Sequence, residues 1–171
     1  MTRRMEYTIG FDAPAEKIYQ DLTSREYWQT MMGMYGSVTP RSEVTSFRSD
    51  ENGTDIVFVH IVPRSYLPPI GRSVMPVDMV ITRTQHYDPF DHANSRATGA
   101  YSASIPRGPG HFRGRYVLTE TDTGSALRLT SACKVHIPLL GGALEELILH
   151  HITDIFDAEE AFTAEWISKH H

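Results

Sequence analysis

Residues 125–167, SALRLTSACKVHIPLLGGALEELILHHITDIFDAEEAFTAEWI, read as a strand running into a long helix through a single proline. In 125–137, Leu127, Leu129, Ser131, Cys133, Val135 and Ile137 share one face, and Arg128, Thr130, Lys134 and His136 share the other. That period of two marks a half-buried strand. Pro138, which has no N–H for a ladder, stops it. From 139 to 167 the period changes. At about 100° per residue, Leu140, Leu144, Leu147, Ile148, Ile155, Ala158, Phe162 and Trp166 fall on one stripe, opposite Glu146, Thr153, Asp157, Glu160 and Ala164. A helix of that span is about 40 Å long at roughly 1.5 Å per residue, so it needs a large apolar partner.

The rest of the chain supplies one. Strand-like runs occupy 41–49, 54–62, 77–87, 95–105 and 111–121, before the strand at 125–137. Asn52-Gly53 is a two-residue hairpin signal, and 88–91, 107–110 and 122–124 are turn-rich joints. Strands joined by short turns form an antiparallel meander. Ahead of it, residues 5–12 alternate as a short strand. Asp12 and Pro14 suit the cap and first turn of a helix over 15–24. A second short helix over 25–36 ends at Gly33 or Gly36. Its Tyr27, Trp28, Met31, Met32 and Met34 are too apolar for an open surface. The predicted fold is α+β and a single domain over 1–171: a curved antiparallel sheet of seven strands around a long C-terminal helix. A curved sheet and a straight rod do not mate perfectly, which leaves a cavity between them.

Two features strain this picture. Strand 54–62 is apolar on both faces, Ile56, Phe58 and Val62 against Val57, Val59 and Ile61. A sheet with one wet face should alternate. Either the segment 63–76, PRSYLPPIGRSVMP, folds over the outer face, or that face joins a second copy in a homodimer. In addition, the inward set of 95–105 and 111–121 includes Ala97, Gly99, Ala103 and Gly114. These small residues either let the helix approach or open a ligand chamber.

Composition excludes several classes. With 171 residues, 40% of them hydrophobic, and one cysteine, the chain is neither disordered nor a disulfide scaffold. The net charge of −5 argues against nucleic acid as a partner. Residues 139–171 hold seven acids against one base, so the negative charge is expected on the solvent face of the last helix. Glu6 and Asp12 interrupt the amino-terminal stretch, which has no apolar core of a leader. No run approaches the roughly 18 apolar residues of a membrane span, so no membrane insertion is expected and the chain fits a cytoplasmic protein.

Asp12-Ala13-Pro14-Ala15-Glu16-Lys17-Ile18-Tyr19, followed by Tyr27-Trp28, resembles the opening of START-like helix-grip proteins, the polyketide cyclase and lipid-transfer superfamily. Val135-His136-Ile137-Pro138-Leu139-Leu140-Gly141-Gly142 resembles its strand-to-helix junction. Order and length match over the whole chain. The proline-rich segment looks like that of an uncharacterised actinobacterial branch. The resemblance implies a helix-grip fold and a hydrophobic ligand; it carries over no catalytic motif.

Candidate ligand-binding residues follow from alternation and helical angle. His151, between Leu147 and Ile155 on the apolar stripe, is expected to point into the cavity. There it is either a head-group anchor or proton donor, or a core histidine bonded to Tyr101 or Tyr116. Arg83 shares the inward face of 77–87 with Val77, Met79, Ile81, Gln85 and Tyr87. It either binds an anionic head group or pairs with Glu43 or another carboxylate. Tyr101, Tyr116 and Phe112 face inward from neighbouring strands. Cys133 is a buried thiol with no base beside it on its strand face. His150 and Asp154 have the i, i+4 spacing of metal ligands but sit at the stripe's edge, without a zinc-type motif. No metal or cofactor is expected. No nucleophile elbow or phosphate loop is present.

The expected function is binding, transport or sequestration of a hydrophobic or amphipathic small molecule, such as a lipid or polyketide, between sheet and helix. The proline-rich segment and Met31–Met34 form a movable rim in that reading. The alternatives are a polyketide cyclase or dehydratase using His151 with Tyr101 or Arg83, and a protein-interaction module using the outer face of 54–62.

Overall fold

The structure, a computed structural model, describes residues 2–35, 41–105, 108 and 110–171. The chain runs β1 (Arg3–Phe11), α1 (Ala15–Leu22), α2 (Arg25–Met34), β2 (Arg41–Asp50), β3 (Gly53–Val62), a 3-10 turn (Arg64–Tyr66), α3 (Pro69–Val74), β4 (Met79–Tyr87), β5 (Arg96–Ser104), β6 (Gly110–Thr121), β7 (Gly124–Val135) and α4 (Gly141–His170). The strands form one antiparallel sheet in the order β1-β7-β6-β5-β4-β3-β2. Five strands thus pair as a meander outward from β7, and β1 closes its far side, Arg3 opposite Cys133. This is the α+β architecture expected from the strand-to-helix junction. Residues 107 and 109 of the expected turn at 107–110, and the helix end expected at Gly36, lie outside the described residues.

Local chemistry shifts several boundaries. Asp12 does not cap α1: the cap position is Pro14, and the Ala15 N–H donates to Glu120 Oε2 at 3.1 Å. Ser24 caps α2 by accepting from the Tyr27 N–H. In the β2–β3 hairpin the turn residues are Glu51 and Asn52. Gly53 already pairs with Asp50, at a positive φ of 122° that favours glycine. β4 starts at Met79, so Val77 is not an inward strand residue; it is 65% exposed. The guanidinium of Arg64 ties the proline-rich segment to itself through the carbonyls of Met75 and Arg72. Ile70 and Val74 pack against the core, while Val57, Val59 and Ile61 on the outer face of β3 remain half-exposed.

The largest correction concerns α4. The helix packs on β7 and β1, and its far end meets α2 through the Tyr27 and Trp166 rings, 5.5 Å apart. Its buried residues are Gly141, Leu144, Glu145, Leu149, Phe156, Thr163 and Trp166. That stripe is rotated by roughly 90° from the expected one, with Leu144 and Trp166 common to both. Polar residues with dedicated partners explain the rotation. Glu145 accepts the Val135 N–H at 2.9 Å, and Thr163 bonds the Tyr27 hydroxyl at 2.6 Å. His151, on the old stripe, is exposed, and Leu147 is only half-buried. The acidic charge of the segment is likewise not all on the solvent face, since Glu145 is buried and Glu159 mostly so.

Two of the small inward residues of β5 and β6, Gly99 and Gly114, give their space to neighbouring rings. A Cβ on Gly99 would lie 1.9 Å from Tyr116 Oη, and one on Gly114 would lie 2.3 Å from the Tyr101 ring. The glycines make room for two tyrosines lying across the sheet, whose rings are stacked 6.5 Å apart.

Candidate functional site

Away from β7 and β1, long side chains bridge from the sheet to α4. Arg83 of β4 reaches Glu159 of α4, Nη1 to Oε1, at 3.0 Å, with only 14% and 13% of the two side chains exposed. The Tyr35 hydroxyl, just past α2, donates to the same Glu159 oxygen at 2.7 Å. Beneath the pair, the Arg83 guanidinium lies 5.4 Å from the centre of the Phe58 ring on β3, a cation–π arrangement. Burial works against the arginine's charge, but Glu159 and Tyr35 hold its pKa above the ordinary value. Each partner therefore compensates the other's charge inside the protein.

His60 adjoins this cluster. It alternates with Ile56 and Phe58 on the inward face of β3 and is 5% exposed. Its Nδ1 is held by the Ser42 hydroxyl at 2.8 Å across the β2–β3 ladder. The Tyr35 ring stands edge-on to it at 5.3 Å. Among the described residues Nε2 meets no hydrogen-bond partner. Burial, and then the positive charge of Arg83, push the imidazole pKa down to about 3, so the ring is neutral near pH 7.

Around these polar groups lies an apolar flank that packing does not close. Met79, Ile81 and Ala103 belong to the inward sets of β4 and β5, and Ile148, Ile152 and Ile155 to the packed side of α4, yet all six remain half-exposed. Among the described residues, two surface concavities of about 390 and 400 Å³ lie elsewhere. One is at the turn before β5, the other at the β7–α4 junction, and neither borders Arg83, Glu159 or His60.

Of the residues singled out from sequence, Arg83 is inward and paired with a carboxylate, which is Glu159 rather than Glu43. Tyr101, Tyr116 and Phe112 are buried. The Tyr101 hydroxyl bonds Ser131 at 2.6 Å, and burial pushes its pKa up to about 12. The Tyr116 hydroxyl donates to the His86 carbonyl at 2.5 Å. Ile155 packs against the core at the half-exposed flank, whereas His151 turns away to solvent and contacts neither tyrosine. Sequence reading missed Glu159 and His60. Both carried a signal: 152, 156, 159 and 163 repeat at helical spacing, and His60 follows Ile56 and Phe58 at strand spacing.

An antiparallel sheet against one long C-terminal helix, with two short helices after the first strand, is a helix-grip fold. A crystal structure from Thermus thermophilus shares it, with a TM-score of 0.57 at 17% identity, over 96% of this chain and 95% of that one. So does norcoclaurine synthase from Thalictrum flavum, solved in complex with dopamine and hydroxybenzaldehyde, with a TM-score of 0.58 at 10% identity over 100% and 89%. Residues 6–167 match the family described as "Protein of unknown function (DUF2505)", and the chain belongs to that family. An uncharacterized protein of Mycobacterium tuberculosis is 25% identical over 98% of both chains, in keeping with an actinobacterial branch. No helix among the described residues is long and apolar enough to cross a membrane.

Proposed function

We propose that the protein binds a hydrophobic or amphipathic small molecule, such as a lipid or polyketide, between α4 and the β3–β5 part of the sheet. The observation that carries this reading is that half-exposed apolar side chains on β4 and β5 (Met79, Ile81, Ala103) and on α4 (Ile148, Ile152, Ile155) belong to elements joined by a buried charge pair. Water covers such a surface at a cost of about 25 cal/mol for each Å², which an apolar ligand would recover. A protein of the same fold holding two small aromatic molecules supports the reading. Met31 and Met32, expected in the rim, are buried in the core, whereas Ile70 and Val74 of the proline-rich segment, with Met34, pack at its margin and suit a rim that adapts to the ligand.

The test is native mass spectrometry of freshly purified protein beside the same sample denatured. A co-purified mass of a few hundred daltons, lost on denaturation and absent from Ile152→Arg, supports the reading. A clean mass, together with no saturable uptake of the neutral dye Nile red, removes it. A second reading, a surface for protein association, is favoured by the half-exposed Val57, Val59 and Ile61 on the outer face of β3. A mass that rises with concentration and reverts in Val59→Lys would support that reading.

A further inference from the structure

We infer that the end of the ligand reaching the Arg83–Glu159 cluster is electrically neutral and presents a carbonyl or hydroxyl oxygen to Nε2 of His60. The inference rests on the ligand-binding reading above and names the head-group class of that same site.

Three observations on different residues converge on it. First, Nε2 of His60 is a buried polar atom without a partner among the described residues, although the large majority of buried side-chain polar atoms have one. The ring's other nitrogen is already engaged by Ser42, so the unmet valence lies on the inward-facing strand side chain itself. When the Ser42 hydroxyl donates to Nδ1, the neutral ring carries its proton on Nε2 and seeks an acceptor oxygen. A ligand hydroxyl satisfies either tautomer, and a carbonyl satisfies this one.

Second, the charge beside His60 is already balanced. Arg83 and Glu159 neutralise each other at 3.0 Å, and the Tyr35 hydroxyl occupies the same carboxylate oxygen. A carboxylate head group would have to displace Glu159 from Arg83 and then sit beside it. A cationic one would face the arginine. Both carry a desolvation penalty, and the cluster's two charges already offset each other. Third, the surroundings are aromatic and apolar: the Tyr35 ring stands against His60, Phe58 lies under Arg83, and Ile81 is the residue directly opposite His60 on β4. Such walls accept the body of a neutral molecule and leave orientation to one hydrogen bond.

The experiment uses four probes on the intact chain near neutral pH. Nile red reports occupancy, and 1-dodecanol, dodecanoate and dodecane, which share one chain length, compete for the site. The expected result is that 1-dodecanol displaces the dye at about one tenth of the concentration needed for dodecane, with dodecanoate no better than dodecane. In His60→Phe, which keeps the ring volume, the alcohol's advantage over dodecane is lost and dodecane itself is unchanged. His60→Gln, which keeps a polar atom, retains part of it. Dodecanoate binding as tightly as 1-dodecanol would overturn the inference, and so would an advantage for the alcohol that survives in His60→Phe. The latter outcome means that His60 meets only water. Equal binding of all three competitors overturns the head-group inference and leaves the binding reading standing. Absence of any dye uptake overturns both.

Discussion

Replacing Arg83 by methionine keeps much of its apolar stem and removes its charge, leaving Glu159 uncompensated in a nearly buried site. At 3.0 Å and an effective dielectric constant of about 20, the Coulomb attraction of the pair is roughly 5 kcal/mol. Desolvation of both ions opposes this gain, so the pair's net contribution is small, but breaking one side exposes the desolvation cost alone. The expected loss for Arg83→Met is about 3 kcal/mol. For a chain of this length that corresponds to roughly 9 °C in Tm. Glu159→Gln keeps an acceptor for the Tyr35 hydroxyl but strands the arginine, and a loss of similar size is expected. In the double variant neither charge remains, so the two losses do not add. Its stability is expected to recover by about 2 kcal/mol relative to the sum of the single changes. Urea denaturation followed by circular dichroism measures all four proteins. A loss below about 1 kcal/mol for Arg83→Met, or strict additivity in the double variant, would refute the claim that this is a desolvated, mutually dependent pair.

Other residues give independent tests. His60 titrates near 6.5 when unfolded and at about 3 when folded, so the stability it permits is complete above pH 6.5 and declines as pH falls towards 3. At pH 5 the decline amounts to about 2 kcal/mol, and His60→Phe should flatten that part of the stability–pH curve. His86 behaves oppositely: its bonds to Asp55, with Asp88 adding to them, raise its pKa. Its contribution is therefore present below about 6.5 and lost as pH rises through the folded value, which a proton NMR titration reads as a midpoint above 6.5. Gly99→Ala places a Cβ 2.1 Å from the His86 carbonyl oxygen as well as against Tyr116, and should cost about 3 kcal/mol in urea denaturation. His151→Ala, at an exposed helix position, should change stability by less than about 0.5 kcal/mol and leave Nile red uptake unaltered.

Strand alternation was legible because each side chain's face follows from parity once one buried face is known. Leu127, Leu129, Ser131, Cys133 and Val135 all lie inward as their spacing requires, and so do Phe112, Tyr116 and Leu118. The rotation of α4 was not legible from apolar residues alone. Glu145 and Glu159 read as solvent-facing with the segment's other acids, and Thr163 carried no signal of its own, until Val135, Arg83 and Tyr27 are seen to satisfy them. These partners lie 10, 76 and 136 residues away in the chain, beyond any local pattern. The same limit misplaced His151 and hid His60. An inward histidine looks like any alternating residue until its two nitrogens can be followed to their partners. Gly99 and Gly114 were recognised as spaces, but only the register of β5 with β6 shows that Tyr116 and Tyr101 fill them.

Backbone amide NMR during titration with 1-dodecanol tests directly whether a ligand is held between α4 and the middle of the sheet. The predicted result is saturable shifts concentrated at Ile81, Arg83, Ala103, Ile152 and Ile155. Absence of saturable shifts, or shifts confined to Val57, Val59 and Ile61 on the outer face of β3, would contradict it.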